Sequence, residues 1–312
     1  MLPALAFMML FSCQNDTTET NAPEASAVLK RGCASQEVLE AQMKADPSLA
    51  LRMNKIEEFT KNAMTNGRLV NGKIEIPVVV NVLYRTAAEN ISLAQIQSQI
   101  DVLNADFNAT NSDFSSTPAL FSGVAANVGI TFVLETVNRK STTKTSWGTR
   151  DAMKKTKQGG LDPTSPTTKL NMWVCTIGGG ILGYAQFPGG ASATDGVVMD
   201  TKYFGLSGSG SYPYNLGRTA THEVGHWMNL RHIWGDATCG SDLVSDTPTH
   251  NDANYGVPAY PHYSTCTGTP VEMTMNYMDY TDDRGMYMFS NGQKSRMAAI
   301  FVAGGARASF GI

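Results

Sequence analysis

The chain of 312 residues is 42% hydrophobic and only 16% charged, which is typical of a globular protein with a sizeable core. Its formal net charge of -3 leaves no excess of positive charge to attract nucleic acid or an anionic membrane surface. Composition therefore argues against nucleic acid as a partner, and the function has to be inferred from particular residues.

The chain begins with a short apolar run, MLPALAFMMLFSC, which ends at Cys13 and is too short to span a bilayer. Residues 1–13 are interpreted as a secretory signal and resemble a bacterial lipoprotein signal, in which a cysteine after a small residue receives lipid. An uncleaved hydrophobic tail is the alternative. Lipid on Cys13 would make the protein a secreted, cell-surface or outer-membrane lipoprotein that is anchored without spanning the membrane.

Residues 14–66 are interpreted as a polar tether followed by a pro-segment. The tether is low in complexity and has the composition of a disordered segment. Apolar residues at three-to-four spacing then predict two helices, in QEVLEAQMKAD and SLALRMNKIEEFTKNA. The turn-rich TNGRLVNGK ends this region, and residues 67–312 are predicted to form the main domain.

The main domain contains both strand and helix patterns. Runs rich in Val and Ile predict strands in KIEIPVVVNVLYRT, ITFVLETV, KLNMWVCTI and DGVVMD. An amphipathic helix is predicted in LAQIQSQIDVLNADF, between the first two strands, and a closing helix in NGQKSRMAAIFVAG. The glycines of GGGILGYAQFPGG predict a loop.

Three of the five histidines lie in the stretch THEVGHWMNLRHIWGD. His222 and His226 are four residues apart, so on a helix both imidazoles face the same side, with Glu223 beside the first. This H-E-x-x-H spacing indicates two zinc ligands and a general base, with three solvated helix histidines as the alternative. His232 can join them only if the chain turns near Asn229, a residue type that tolerates the left-handed conformation.

HEVGHWMNLRH resembles the zinc-binding signature of the metzincin metallopeptidases, and MNYMDY resembles the methionine turn of that clan. The flanking segments, including IQSQIDVLNADFNATNSDF and NLRHIWGDATCGSDLVSDTP, are similar to the pappalysin family of metzincins. The resemblance implies an α+β, metzincin-like fold with a mixed, mostly parallel sheet and an active-site helix. It also implies a smaller, irregular C-terminal subdomain.

The resemblance implies a set of three zinc ligands for one catalytic Zn²⁺: His222, His226 and His232. Glu223 would take a proton from water that the metal acidifies. Tyr280 would stabilise the oxygen of the scissile carbonyl, with a tyrosine merely packed in the turn as the alternative. Met278 would form a packed floor beneath the zinc, and DGVVMD would be the edge strand that receives an extended substrate.

Two further features involve cysteines and acidic residues. Outside the cytoplasm Cys239 and Cys266 can form a disulfide, whereas Cys175, in an apolar run, is predicted to be a buried apolar residue. Asp242 and Asp246 offer hard oxygen ligands, and pappalysin-like enzymes use calcium in this region. The hypothesis of a calcium site has a solvated acidic loop as its alternative.

Cys33 lies ahead of the main domain in the basic stretch KRGCASQE. The charges of Lys30 and Arg31 are expected to favour the thiolate, the form that binds zinc, and RGCAS resembles the latency cysteine of pappalysin zymogens. A thiolate in the fourth zinc position would keep the precursor inactive until TNGRLVNGK is cut. A spare thiol, or a disulfide with Cys175, is the alternative.

The sequence therefore predicts a zinc-dependent endopeptidase that is made as a latent precursor, with residues 67–312 as the catalytic domain. Its partners would be protein or peptide substrates, with membrane contact only through a lipid anchor. The alternative is a catalytically silent surface lipoprotein that keeps the zinc-binding fold as a binding module, and the intact Glu223 argues against it. His250 and His262 are interpreted as loop residues.

Overall fold

A five-stranded sheet lies at the centre of the computed structural model, which describes residues 30–65, 74–208 and 211–310. The strands are β1 Ile74–Tyr84, β2 Ile130–Ser141, β3 Leu170–Cys175, β4 Gly183–Ala185 and β5 Val197–Asp200. They lie in the order β2-β1-β3-β5-β4. All pairs are parallel except that of β4 with β5, so the predicted mixed, mostly parallel sheet is confirmed.

Burial on both faces explains why the central strands are almost continuously apolar. Every residue of β3 is buried, and Val78, Val80 and Val82 of β1 have no exposed surface. β-Branched side chains fit such a pleated surface when helices or loops cover both sides. The strand predictions from Val- and Ile-rich runs are therefore confirmed for β1, β2, β3 and β5.

The described helices of the α type are α1 Ser35–Ala45, α2 Ser48–Thr65, α3 Leu93–Phe107, α4 Ala119–Ser122, α5 Arg218–Trp227 and α6 Asn291–Ala299. The predicted helices before β1, between β1 and β2, at the histidine motif and near the C-terminus are present. Ser92 caps α3, and a capping box of Ser290 and Gln293 begins α6. Among the residues described, none of the helices combines the length and hydrophobicity that crossing a bilayer requires.

The edge strand differs from the prediction. β5, in DGVVMD, lies between β3 and β4, and the edge is formed by the short antiparallel strand β4 within the predicted loop. β4 has only three residues and lies among glycines, so the sequence predicted a loop there instead of a strand. Gly183 leaves little room there for a side chain, since a Cβ would lie 3.0 Å from both the Val198 oxygen and the Glu223 Cγ.

The C-terminal part is irregular, as predicted. Between α5 and α6 the chain forms turns, isolated bridges and the 3₁₀ turn Asp283–Gly285. The Cys239–Cys266 disulfide links residues 27 apart in this part. Cys33 and Cys175 are both free and buried, so the alternative disulfide between them is not formed.

Two predicted features lie outside the described residues. These are Cys13, with the rest of the signal and tether, and residues 66–73 of the expected maturation loop. The segment between them forms α1 and α2, and Leu39 of α1 packs with Leu49 of α2 and Phe187 of the main domain. The predicted pro-segment therefore contains two helices and contacts the predicted main domain through them.

Candidate active site

Helix α5 places the first two histidines. It begins after Gly217, which has a positive φ of 79°, and every one of its residues is buried. The four-residue spacing places His222 and His226 on one face, with their ring centroids 4.7 Å apart. Gly225 lies between them without a side chain, and a Cβ there would be only 2.5 Å from the Met278 Sδ.

A residue in the left-handed backbone conformation brings the third histidine back towards this face of α5. Asn229 has a φ of 73°, the conformation expected from its residue type, and the chain leaves the helix at this point. The N–H of Leu230 bonds to the Gly225 carbonyl, and that of Ile233 to the Met278 carbonyl. His232 Nε2 consequently lies 3.1 Å from His226 Nε2.

The hydrogen bonds of the three imidazoles fix which nitrogens carry protons. Three oxygens accept from the Nδ1 atoms of His222, His226 and His232: Tyr277 O at 2.7 Å, Leu230 O at 2.8 Å and Asp236 Oδ1 at 2.5 Å. Because these oxygens can only accept, each Nδ1 is protonated and each Nε2 presents a lone pair.

The three Nε2 atoms converge, and His226 Nε2 is 3.1 Å from each of the other two. No proton lies between these lone pairs, so they would repel one another unless a cation lay among them. Burial, followed by the neighbouring imidazole of His232, lowers the pKa of His226 to about 3. Protonation is therefore disfavoured, and the donor set fits Zn²⁺ held by neutral imidazoles.

Cys33 completes the metal-capable group. Its Sγ and one ring nitrogen from each of the three histidines all lie within 4.8 Å of one another, and the four residues are buried. The predicted pro-segment reaches this point by pairing with the edge strand: the Leu182 N–H bonds to the Gly32 carbonyl, and the Ala34 N–H to the Gly183 carbonyl. The pro-segment backbone thus lies along the sheet edge at the site.

The flanking charges do not act on the thiol as expected from the sequence. Arg31 turns away and its Nη2 lies 2.6 Å from Asp283 Oδ1, while Lys30 lies over the ring of Tyr255. Burial and the Glu223 carboxylate raise the pKa of the Cys33 thiol well above its ordinary value. In this setting a cation among the histidines would favour the thiolate.

Glu223 is fully buried beside the histidines, and its two oxygens differ. Oε2 accepts from Ser35 Oγ at 2.8 Å and from Cys33 Sγ at 3.3 Å, whereas Oε1 has no partner within the described part of the chain. Burial raises the pKa of Glu223 to about 7. Such a carboxyl group can both accept and release a proton near neutral pH.

Tyr280 contacts the histidine cluster directly, whereas Met278 packs against Gly225 of α5. The Tyr280 hydroxyl donates to the Cys33 carbonyl at 3.3 Å, and its ring packs edge-on against His232 and Trp234. Met278 is completely buried against Gly225, which places it beneath the active-site helix. The structure thus brings both predicted residues to the cluster.

The two predicted calcium ligands are held by protein donors. Asp242 accepts from the Val244 N–H and the Thr247 hydroxyl, and Asp246 accepts from the Ser290 hydroxyl and the Gly292 N–H. Among the residues the structure describes, Cys33 and the three histidines form the group that could hold a metal ion. Asp242 and Asp246 therefore lie outside it.

Sequence reasoning missed three residues that contact the cluster or its neighbours. Ser35 accepts from the Ala185 N–H at 2.8 Å while it donates to Glu223, and Asp236 holds His232. Asp283 receives the Arg31 side chain. Ser35 is the first residue of α1, and no local sequence pattern identifies either Ser35 or Asp283.

Known proteins resemble this chain over most of its length. The family model described as pregnancy-associated plasma protein-A, Peptidase_M43, matches residues 171–302. An extracellular metalloprotease of Pyricularia oryzae is 33% identical over 287 residues, which cover 90% of this chain and 87% of the relative. This similarity extends well beyond the zinc motif.

Two solved structures from Tannerella forsythia have the same fold. A promirolysin variant is 40% identical with a TM-score of 0.82, and the match covers 90% of this chain and 97% of that one. Mature mirolysin in complex with a cleaved peptide is 44% identical with a TM-score of 0.75, and its match covers 78% and 97%. The chain therefore belongs to the pappalysin family of the metzincin zinc metallopeptidases, and it is a zinc-dependent endopeptidase made as a precursor.

Proposed function

We propose that His222, His226 and His232 hold the catalytic zinc and that Glu223 is the general base. The observation that carries this proposal is the convergence of three unprotonated Nε2 atoms beside a buried carboxylate. Bound zinc would acidify a water molecule and polarise the scissile carbonyl. Glu223 Oε1 is left to accept the proton of that water, and the carboxyl group can then return it to the leaving amine.

Tyr280 is proposed to stabilise the developing negative charge on the carbonyl oxygen. In the precursor its hydroxyl donates to the Cys33 carbonyl, so a backbone carbonyl already occupies the position of the acceptor. Departure of the pro-segment would free this donor for a substrate carbonyl. A preorganised hydroxyl donor of this kind acts on the transition state more strongly than on the ground state.

Substrate is proposed to bind as an extended chain along β4. The donors and acceptors that pair with the pro-segment, namely the N–H of Leu182, the carbonyl of Gly183 and the N–H of Ala185, are all main-chain groups of the sheet edge. Once the pro-segment leaves, they can pair with any peptide backbone. Affinity would then come from the backbone, and selectivity from side-chain pockets.

One such pocket is occupied by Arg31 in the precursor. The guanidinium is buried, donates to Asp283 Oδ1 at 2.6 Å, to Thr219 Oγ1 at 2.9 Å and to the Thr281 carbonyl, and lies over the Tyr214 ring. Asp283 Oδ2 is held separately by backbone N–H groups, which keeps Oδ1 facing Arg31. We propose that this pocket, when vacated, selects a basic side chain of the substrate.

Cleavage of a peptide library by the matured protein tests this proposal. The products, identified by mass spectrometry, are expected to share arginine or lysine at one fixed position near the cut. Asp283→Asn keeps a polar side chain but removes the charge, so cleavage of arginine peptides should fall by at least about tenfold. Products with no basic preference at any position, or unchanged cleavage by the variant, would contradict the proposal.

Latency is proposed to depend on Cys33. Its sulfur takes the fourth position around the histidine cluster, where the attacking water would otherwise bind. We expect purified wild-type precursor to be inactive until the chain is cut within residues 66–73, and Cys33→Ala precursor to mature sooner. Time courses of processing on gels, with peptide hydrolysis assayed in parallel, measure both.

Cys175→Ala is the matched control for this experiment because Cys175 is the other free and buried thiol. It should process at the wild-type rate, since its sulfur lies in β3 and outside the group around the histidines. Equal latency of the wild type and Cys33→Ala would show that the thiol is not what blocks the site.

The N-terminal region is proposed to direct export. Residues 1–13 would be the signal with Cys13 as lipid acceptor, residues 14–66 the tether and pro-segment, and residues 67–312 the catalytic domain. Relatives described as extracellular support secretion, and the smaller share of this chain matched by mature mirolysin supports an N-terminal pro-segment. The mass and N-terminal sequence of the cell-derived protein test these boundaries.

Calcium binding by Asp242 and Asp246 is proposed separately. Burial raises the pKa of Asp242 to about 6, so a nearby cation would stabilise its ionised form. Thermal unfolding with calcium and with a calcium-selective chelator decides the point. An unchanged melting temperature would leave the two carboxylates as acceptors for the protein donors that already hold them.

A further inference from the structure

A second contact between the pro-segment and the catalytic domain lies apart from the zinc ligands. Helix α2 packs on helix α6, and the Glu57 carboxylate accepts from both Nη atoms of Arg296, at 2.8 and 2.5 Å. The Arg296 side chain is only 2% exposed, whereas that of Glu57 is 34% exposed. The guanidinium of the main domain is therefore shielded from water by the segment that is removed.

Arg296 is positioned by the main domain itself. Its Nε donates to the Asn229 carbonyl at 2.7 Å, a bond that does not involve the pro-segment. The two Nη atoms would consequently still point towards the α2 binding position after α2 has dissociated. A guanidinium fixed in this way forms a ready bidentate site for a carboxylate.

Apolar contacts surround the ion pair. Ala63 of α2 is buried with Ala299 and Val302 of the C-terminal region, and a Cβ on Gly304 would lie 3.2 Å from the Phe59 ring. Small residues on both sides thus allow α2 to approach closely. A charge pair bordered by close apolar packing is typical of a specific docking surface.

We propose that the surface formed by α6 and the turn after it, defined by Arg296, Ala299 and Val302, docks α2 after the chain has been cut within residues 66–73. The proposal rests on the pro-segment function proposed above but not on the Cys33 thiol. Cutting the loop breaks the chain and leaves the Glu57–Arg296 pair intact. Activation therefore requires dissociation of the pro-segment as a second step, and the ion pair sets its rate.

The experiment uses the full chain with a site for a sequence-specific protease placed within residues 66–73. All variants also carry Glu223→Ala, so that the cut protein cannot digest its own pro-segment. After cutting, native mass spectrometry follows the fraction of catalytic domain that retains the pro-segment. Because the readout is the mass of each species, release of an intact pro-segment is distinguished from its digestion whether or not Glu223 is the base.

Glu57→Gln leaves the buried guanidinium without its counter-charge, so we expect the pro-segment to dissociate at least about tenfold faster than without this change. Glu58→Gln is the matched control, since Glu58 lies on the same helix but is exposed. It should retain the pro-segment as long as the unchanged chain does. Equal dissociation rates for the two variants, or complete loss of the pro-segment on cutting the unchanged chain, would overturn the proposal.

Discussion

Replacing Glu223 with alanine is expected to lower peptide hydrolysis by at least about a hundredfold, the usual contribution of general-base assistance. The three histidines keep their Nδ1 partners in this variant, because none of those hydrogen bonds involves Glu223. Zinc should therefore remain bound at the wild-type level. Hydrolysis is measured after an added protease has cut the chain within residues 66–73, since the variant should not mature by itself.

Glu75→Ala provides the control for removing a carboxylate from the catalytic domain. Glu75 is exposed on β1, so its loss should leave both zinc content and turnover unchanged. Near-normal turnover of Glu223→Ala with zinc bound would refute the assignment of the base. A fall in turnover with a parallel loss of zinc would also count against it, because the defect would then lie in the metal site.

His232→Ala is expected to lower zinc content and hydrolysis together. Two imidazoles remain on α5, and a site with two protein nitrogens binds zinc poorly compared with the three that catalytic sites use. His232 also stacks on Trp234, with ring centroids 4.3 Å apart, so its removal opens space beside the two remaining ligands. Elemental analysis of the purified protein and a peptide cleavage assay measure the two quantities.

His262→Ala is the matched control for the loss of a histidine. The His262 side chain is 40% exposed and lies beside Glu272, in a different part of the C-terminal region. Its replacement should change neither zinc content nor turnover. Wild-type zinc and activity in His232→Ala would show that His232 is an ordinary loop residue and that the ligand set is wrong.

The precursor contacts explain why the two activity measurements need a cut chain. Ser35 links the Glu223 carboxylate to the Ala185 N–H, so one pro-segment side chain occupies both the proposed base and a donor of the sheet edge. Cys33 adds its sulfur to the histidines, and Arg31 fills the pocket of Asp283. In this geometry the pro-segment covers the metal site, the base, the edge strand and one side-chain pocket together.

The sequence by itself determined the features that depend on neighbours along the chain. Helical periodicity places His222 and His226 on one face of α5, and the tolerance of asparagine for a positive φ permits the turn at Asn229. Runs of apolar, β-branched residues likewise predicted β1 and β3, because strand preference and burial both depend on the types of consecutive residues.

Only the tertiary structure decided the features that depend on distant partners. The edge role of β4 arises from its pairing with β5, and three residues between glycines carry no strand pattern. The pairs Arg31–Asp283 and Glu57–Arg296 join residues separated by 252 and 239 positions in the chain. The raised pKa of Cys33 has the same origin, since burial and the Glu223 carboxylate act on the thiol while Arg31 pairs with Asp283 and Lys30 lies over Tyr255. The energy of a charge depends on its surroundings in space, and adjacency in sequence does not specify them.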